Sequence, residues 1–155
     1  MAAEPDRPRI LAPPPLIFGI FFAAGYGLDR LMPAAPFAAA QWTWIGSILF
    51  VAALVLAGAA IGLFLRARTH VEPWKPATTL VIAGPYRRSR NPMYVAAALA
   101  HAGAALVLDL PWTLGLLAPA LVAIHCGVVR REERYLAARF GDGYADYCRA
   151  VRRWL

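Results

Sequence analysis

One uninterrupted apolar run sets the main limit on how this chain folds. Residues 42–65, WTWIGSILFVAALVLAGAAIGLFL, contain no charged side chain. Because a helix rises about 1.5 Å per residue, a run of this length crosses a hydrocarbon layer about 30 Å thick. The hydrophobic share of the whole chain, 60%, also exceeds the share of about 45 to 50% found in soluble domains. We therefore predict a membrane-spanning helix over residues 42–65.

A second apolar run lies near the start of the chain, over residues 10–31. It opens with Pro13, Pro14 and Pro15, and proline suits a helix start because the first N–H groups have no partner there. The run is longer than the core of a signal peptide, it lacks a clear small-x-small cleavage site, and another spanning run follows it. We expect a retained membrane helix, preceded by a loose cytosolic tail over residues 1–9.

Two further apolar runs follow, over residues 92–108 and 110–129. They are separated by a short stretch that contains Asp109 and Pro111, so we predict a tight helical hairpin. The first of the two is short for a span, and it contains His101. We expect it to tilt little and to begin in the interfacial region.

The basic residues indicate how these helices are oriented. The net charge of +7 is concentrated in segments beside the apolar runs rather than on a separate soluble face, which argues against nucleic-acid binding. The two basic groups are Arg66, Arg68, Lys75, Arg87, Arg88 and Arg90, and then Arg130, Arg131, Arg134, Arg139, Arg149, Arg152 and Arg153. Positive charge stays on the cytosolic side of a membrane. Four crossings with both termini cytoplasmic satisfy this rule for both groups.

No familiar soluble cofactor or metal motif occurs in the sequence. There is no G-x-G-x-x-G after a strand, no P-loop and no H-E-x-x-H. Cys126 and Cys148 lack the spacing of a metal site, so we interpret them as small packing residues. Any cofactor must then be held by the segments next to the membrane helices, and we predict no metal.

The first of these segments, residues 66–91, is too long for a simple turn between packed helices. Loops of this length are commonly functional or disordered. This one carries aromatic and apolar anchors, which favour ordered packing near the membrane surface and a functional role. These anchors are Trp74, Leu80, Val81, Ile82 and Tyr86.

The second segment, residues 130–155, shows an amphipathic helical pattern, with apolar residues three or four positions apart. We expect Gly141 to end a first helix in a left-handed conformation and Asp142 to cap the next one. The basic face would also bind an anionic leaflet, so membrane anchoring is one explanation of the segment.

Two acids at the start of this segment, Glu132 and Glu133, are not explained by anchoring. They form either a solvated cluster of ion pairs with neighbouring arginines or a recognition site for a cation. Residues seven apart on a helix lie on nearly one face, which pairs Tyr94 with His101, and His125 with Glu132. An ionisable group inside a span is a functional candidate, although each histidine could instead bond a backbone carbonyl and tie helices together.

Two stretches of the chain resemble a known family. TLVIAGPYRRSRNPMYVA, followed about 35 residues later by RREERYLAARFGDGYADYCRAVRRWL, is similar to the isoprenylcysteine carboxyl methyltransferases and phospholipid methyltransferases. The family pattern is L-V-x-x-G-P-Y-x-x-x-R-H-P-x-Y-x-G, then a helical hairpin, then E-E-x-x-L and F-G-x-x-Y-x-x-Y. The resemblance covers residues 69–155, and two motifs in the same order make it more specific than either alone.

This resemblance implies an all-α integral membrane enzyme that uses S-adenosylmethionine to methylate a lipophilic, membrane-embedded acceptor. The implied architecture is a single domain of about four transmembrane helices plus a cytosolic amphipathic C-terminal helix. The implied cofactor-binding residues are Leu80, Val81, Gly84, Tyr86, Asn91, Pro92, Tyr94 and His101, with Glu132 or Glu133 for the ammonium or ribose. The implied catalytic residues are Arg90 and Arg130, which would orient the acceptor, and Glu133.

Two positions depart from the family pattern: Asn91 replaces a histidine and Ala96 replaces a glycine. Asparagine can still form hydrogen bonds, but it cannot take up a proton near pH 7. We therefore expect no proton removal by that position. A carboxylate acceptor needs only an arginine to hold it, whereas an amine or a thiol must lose a proton. A prenylated protein, a phospholipid amine and a small lipophilic thiol or acid all stay open.

Two other functions are compatible with the sequence. One is a membrane reductase of the sterol reductase type that uses NADPH, although a dinucleotide needs a larger cavity than the short loop favours. The other is a non-enzymatic scaffold whose basic surface binds anionic lipid. The abundance of alanine and arginine would suit a bacterial inner membrane.

Overall fold

All regular secondary structure in the described part of the chain is helical. The computed structural model describes residue 8, residues 10–37 and residues 40–155. The helices in these ranges are α1 (Pro14–Leu31), α2 (Ala40–Arg66), α3 (Pro92–Val107), α4 (Pro111–Gly115), α5 (Leu117–Ile124), α6 (Arg130–Phe140) and α7 (Asp142–Ala150), with a 3₁₀ turn at Gly84–Arg87 and a π-helical segment at His125–Val129. The all-α class predicted from the sequence is confirmed for these ranges. The predicted tail, except for residue 8, lies outside the described residues.

Two stretches of helix are long and apolar enough to cross a membrane, judged by length and composition among the described residues. One is Ala40–Arg66 and the other is the continuous helical stretch Pro111–Phe140. The helix Pro92–Val107 is apolar but shorter. The predicted span over residues 42–65 thus coincides with a helix of sufficient length, while the four-crossing topology stays a prediction.

Helices α2 and α3 pack along each other, and two glycines set how closely they approach. A Cβ atom placed on Gly103 would lie 2.7 Å from the carbonyl oxygen of Gly46 and 2.8 Å from the backbone nitrogen of Phe50. A Cβ atom placed on Gly46 would lie 2.8 Å from the carbonyl oxygen of Gly103. Because no side chain fits between the two backbones, glycine is required on both helices.

The predicted helical hairpin is present. Helix α3 ends at Val107, and the chain reverses at Asp109, whose φ of 54° is left-handed. The carboxylate of Asp29, at the end of α1, accepts hydrogen bonds from the backbone nitrogens of Trp112 at 2.9 Å and Thr113 at 3.0 Å, and from the Thr113 hydroxyl at 2.7 Å. These bonds satisfy free donors at the start of α4 and join the hairpin to α1.

The helical stretch after the hairpin contains two irregularities. Helix α4 gives way to α5 at Leu116, about one turn before Pro119, whose ring clashes with the preceding turn and which lacks an N–H donor. Residues His125–Val129 are π-helical, and a single π turn amounts to one extra residue in an α-helix. The prediction that His125 and Glu132 share one face assumes a regular α-helix between them, and the π segment removes that basis.

The bend between the last two helices is also present. Helix α6 ends at Phe140, Gly141 has a φ of 53°, and α7 begins at Asp142. The predicted cap is wrong, however. Gly141 itself holds the N-cap position, Asp142 is the first helical residue, and no side chain caps the helix.

The connection between α2 and α3 is ordered, as the sequence predicts. The hydroxyl of Thr69 lies 3.2 Å from the backbone nitrogen of Thr78 and 2.9 Å from its hydroxyl, which closes a small loop. The backbone nitrogen of Ala77 donates to the Tyr135 hydroxyl at 3.0 Å. The connection is thereby attached to α6. Its later residues, which follow Ala77, pack against the end of α2.

Candidate functional site

A polar cleft lies where the end of α2, the connection before α3, and helices α6 and α7 meet. Space for water-sized molecules inside it amounts to about 70 Å³, and the space between its walls, open solvent included, is about 700 Å³. The residues around it combine aromatic rings, apolar side chains and the three carboxylates of Glu72, Glu132 and Glu133. Leu80, Val81, Tyr86, Arg90, Asn91 and Tyr147 also line it.

Tyr86 is held in this cleft by the 3₁₀ turn that carries it. Gly84 starts the turn with a φ of 56°, and the carbonyl of Tyr86 accepts a 2.7 Å hydrogen bond from the Tyr147 hydroxyl. The hydroxyl of Tyr86 is buried and has no hydrogen-bond partner among the described residues. Burial, together with the charge of Glu132, raises the pKa of Tyr86. The hydroxyl therefore stays protonated and is a donor without an acceptor.

Glu132 is bound by a tyrosine from the hairpin. The Tyr94 hydroxyl of α3 donates to Glu132 Oε2 at 2.8 Å. Tyr94 is 7% exposed, and Glu132 lines the cleft beside Tyr86. One carboxylate oxygen is thus fixed by α3, while the carboxylate as a whole remains at the cleft wall.

Glu133 is held by two arginines. Arg153 donates from Nε at 2.9 Å and from Nη2 at 2.8 Å, and Arg90 Nη1 lies 3.3 Å away. The hydrogen bond to Glu133 raises the pKa of Arg153. Arg90 also contacts the Cys148 thiol, and its buried Nε has no partner in the described structure. The charge of Glu133 is therefore neutralised within the protein.

The last residues, 151–155, form a strap across the start of α3. The backbone nitrogen of Arg90 donates to the Arg152 carbonyl at 2.9 Å. The side-chain amide of Asn91 donates to the Arg153 carbonyl at 2.8 Å, and the Ser89 hydroxyl lies 3.5 Å from the same oxygen. Asn91 thus lines the cleft with its amide nitrogen already engaged. The sequence did not predict that Arg153 pairs with Glu133 and accepts a bond from Asn91, because nothing in VRRWL separates Arg153 from the other arginines of the segment.

Tyr94 does not line the polar cleft and reaches it only through its bond to Glu132, and four other predicted site residues lie outside it. His101 Nε2 lies 2.9 Å from the Thr113 carbonyl, and its ring contacts Phe18 and Phe22. A histidine that bonds a backbone carbonyl and so ties two helices together is one of the two alternatives that the sequence allows. The other three are Gly84 and Pro92, which border a separate surface pocket, and Arg130, which is exposed at the start of α6. The structure does not bring these four residues to the cleft.

An apolar groove runs between α3 and α5 on the other side of Tyr94. It contains about 1070 Å³ of space between atoms, counted to its open side. The groove is lined by Tyr94, Val95, Ala98, Leu99, Ala102, Leu117, Leu121, Val122, His125, Trp154 and Leu155. Tyr94 lines the groove while its hydroxyl reaches Glu132 in the cleft. One hydrogen bond thus links a wall residue of the groove to a wall residue of the cleft.

The polar cleft can accept a cationic, hydrogen-bonding molecule. Glu132 supplies a carboxylate, Tyr86 supplies an unused buried donor, and the tyrosine rings supply faces that attract cations. No group of three or more His, Cys, Asp or Glu side chains suited to a metal occurs in the part of the chain that the structure describes.

Comparisons with known proteins show the family. The family model for phospholipid methyltransferases matches residues 41–143, a range that includes all of α2 but its first residue, the connection, the hairpin, Glu132 and Glu133. The cobalt-zinc-cadmium resistance protein CzcN of Cupriavidus metallidurans is 29% identical over 115 residues, which are 73% of this chain and 52% of that protein. The chain thus spans about half the length of this relative. No solved structure matches the chain.

Proposed function

Because this chain belongs to the phospholipid methyltransferase family, we propose that it transfers a methyl group from S-adenosylmethionine to a lipophilic acceptor held in the membrane. The observation that supports this proposal best is the buried Tyr86 hydroxyl, which lacks an acceptor and shares the polar cleft with Glu132. A buried donor without a partner destabilises a protein by about 1 to 3 kcal/mol. Its retention is explained if a ligand supplies the acceptor.

Each part of the cleft has a partner on this cofactor. S-adenosylmethionine supplies a methyl group on a positively charged sulfur, together with an ammonium group and a ribose. Glu132 would bind the ammonium or the ribose hydroxyls, and the Tyr86 hydroxyl would donate to the cofactor. We assign this contact to Glu132 rather than Glu133, because Glu133 is already paired with Arg90 and Arg153. Leu80 and Val81 would pack against the apolar parts.

The chain's contribution to the reaction is mainly positioning. Methyl transfer needs the acceptor atom in line with the methyl group, and holding two reactants in that geometry removes a large part of the barrier. The polar cleft would hold the cofactor, the apolar groove would hold the acceptor, and Tyr94 would stand between them. Arg90 and Glu133 would fix the wall of the cleft rather than touch the acceptor. Arg130 remains a prediction for acceptor orientation.

We also propose that the chain is an integral membrane protein with four crossings and both termini cytoplasmic, as in a bacterial inner membrane. Large apolar residues of α2 are exposed on the surface of the protein, where water would be unfavourable and lipid favourable. These residues are Trp44, Ile48, Val51, Leu54 and Val55. The four crossings would be α1, α2, α3 and the helical stretch that begins at Pro111. Helices α1 and α3 are both shorter than α2.

Calorimetric titration of the purified protein tests the cofactor directly. We expect S-adenosylhomocysteine to bind and NADPH not to bind, and Tyr86→Phe and Glu132→Gln to weaken the binding. Asp146→Asn is the matched control, since Asp146 is exposed in α7 and pairs with Arg149. Binding of NADPH without S-adenosylhomocysteine would instead indicate a reductase, and binding of neither would indicate a scaffold.

A second experiment tests the transfer itself. The protein is incubated with S-adenosylmethionine that carries a labelled methyl group and with fractionated lipids. Label is expected in a lipophilic fraction and should be lost in the Glu132→Gln variant. Label that appears with both proteins would not come from this cleft and would contradict the proposal.

A further inference from the structure

The apolar groove carries one side chain that its packing does not explain. Among the residues that line it, His125 is the one side chain able to exchange a proton near neutral pH. Its Nδ1 is buried and has no hydrogen-bond partner in the described structure. The ring stands beside Trp154, with a distance of 6.1 Å between ring centroids. A buried imidazole nitrogen without a partner is costly unless a ligand meets it.

The other histidine of the hairpin also has a buried Nδ1 without a partner in the described structure, but it lies elsewhere. His101 is 4% exposed, and its Nε2 bonds the Thr113 carbonyl. It lines neither the groove nor the polar cleft. His125, in contrast, shares the groove with Tyr94, whose hydroxyl bonds Glu132 of the proposed cofactor site. Of these two histidines, His125 is the one that an acceptor in the groove would meet.

The groove is unsuited to a charged head group. Among the described residues no arginine or lysine lines it, and these residues would leave a buried carboxylate without a cation, which is unfavourable. Two arginines of the neighbouring cleft wall, Arg90 and Arg153, are already paired with Glu133. No aspartate or glutamate side chain of the described residues lines the groove either.

Proton affinity separates the remaining acceptors. A free imidazole has a pKa of about 6.5, a thiol of about 8.5 and an alkyl ammonium of about 10.4. Transfer of a proton to imidazole is therefore uphill by about two pKa units from a thiol and by about four from an ammonium. A thiol also enters an apolar groove in its uncharged form. Both properties favour a thiol over an amine.

We propose that the apolar groove binds a lipophilic thiol and that His125 takes the proton which the thiol loses when its sulfur is methylated. This inference rests on the proposed methyltransferase function. The electron pair of the acceptor sulfur forms the new bond to the methyl carbon, and the old carbon–sulfur bond breaks with its electron pair left on the cofactor sulfur. The thiol proton moves to the imidazole of His125 and from there to water. The products are a thioether and S-adenosylhomocysteine.

The first test compares three acceptors that share one chain. The full chain, in lipid nanodiscs, is given labelled S-adenosylmethionine and decanethiol, decylamine or decanoate. We expect decanethiol to be methylated at least tenfold faster than the other two. Faster methylation of decylamine or decanoate would overturn the proposal while leaving the methyltransferase function intact. Failure of S-adenosylhomocysteine to bind the same sample would instead remove the function on which the proposal rests.

The second test isolates the proton step. General-base catalysis contributes about 10² to 10⁴ in rate, so His125→Gln should lower kcat for decanethiol by about 100-fold with little change in KM. An aromatic thiol with the same alkyl chain, which is ionised at pH 8 without a base, should restore most of the rate. Cys126→Ala is the matched control, because Cys126 is the next residue, is exposed and does not line the groove. Equal loss with both thiols would overturn the role of His125.

A third measurement does not depend on activity. The imidazole nitrogens are labelled with ¹⁵N, and the signals of His125 are identified as those absent from the His125→Gln variant. Addition of decanethiol, with S-adenosylhomocysteine bound, should shift these signals more than addition of decane does. The signals of His101 should stay in place. Equal shifts with decanethiol and decane would show that the thiol does not meet His125, and would overturn the proposal.

Discussion

The hydroxyl of Tyr94 donates a 2.8 Å hydrogen bond to Glu132, and this bond joins a wall residue of the apolar groove to a wall residue of the polar cleft. The two residues are 38 positions apart in the sequence, on α3 and α6. A change at either residue therefore affects both compartments of the proposed active site.

Replacing Tyr94 with phenylalanine removes the donor and leaves the Glu132 carboxylate without this partner. An unsatisfied buried acceptor costs about 1 to 3 kcal/mol, so we expect the free energy of unfolding to fall by that amount. S-adenosylhomocysteine should bind more weakly in calorimetry, because the position of the carboxylate is no longer fixed. Tyr26→Phe is the control, since Tyr26 is exposed and bonds Arg30 at the end of α1. An unchanged affinity in the Tyr94 variant would contradict the role given to this pair.

The Tyr86→Phe variant should have opposite effects on stability and on binding. In the ligand-free protein the substitution deletes a buried hydroxyl that lacks a partner, so the free energy of unfolding should stay the same or rise by about 1 kcal/mol. If the hydroxyl donates to the cofactor, affinity should fall by about tenfold. Thermal unfolding with and without S-adenosylhomocysteine measures both quantities. A simultaneous loss of stability in the ligand-free protein would show that the hydroxyl has a structural partner.

Glu133→Gln tests whether Glu133 has a structural task. Arg90 would keep its charge at 14% exposure without a carboxylate, whereas Arg153, at 40% exposure, would be better solvated. We expect a loss of about 1 to 3 kcal/mol in the free energy of unfolding. Asp146→Asn breaks an exposed pair and should cost less than about 1 kcal/mol. A Glu133 variant as stable as the Asp146 variant would mean that the strap does not depend on this ion pair.

Gly103→Ala tests the contact between α2 and α3. The added methyl group meets backbone atoms of Gly46 and Phe50, which cannot move aside without separating the helices. Overpacking of this kind costs about 1 to 3 kcal/mol, measurable as a lower midpoint of thermal unfolding. At Gly58, also in α2, nothing lies within 4 Å of an added Cβ atom. Gly58→Ala should therefore be neutral or stabilising by up to about 1 kcal/mol.

The elements that could be predicted from the sequence are those set by local chemistry. The long apolar run predicts α2, the short polar stretch at Asp109 predicts the hairpin, and Gly141 predicts the bend before α7. Positive φ at a glycine and the absence of charge over a long run are properties of neighbouring residues. They require no knowledge of what packs against them.

The parts of the site that could not be predicted depend on contacts between distant residues. The pairing of Arg153 with Glu133 is set by the path of the strap, and many other arginines in the segment would fit the same pattern. The separation of His101 from the cleft depends on which face of α3 meets Thr113. Tyr94 was placed at the site by resemblance, but its position between two compartments follows only from how α3 packs.

The π-helical segment His125–Val129 sets the direction in which the side chains after it point. The site therefore depends on this direction as well as on the identity of its residues. A π turn is one residue longer than an α turn, and each residue of an α-helix turns the chain by about 100°. Deleting one residue from this segment would rotate Glu132 and Glu133 away from Tyr94 and Arg153 without altering either acid. A relative could therefore keep every motif and still lack the cleft, if the segment between its hairpin and the two acids were one residue longer or shorter.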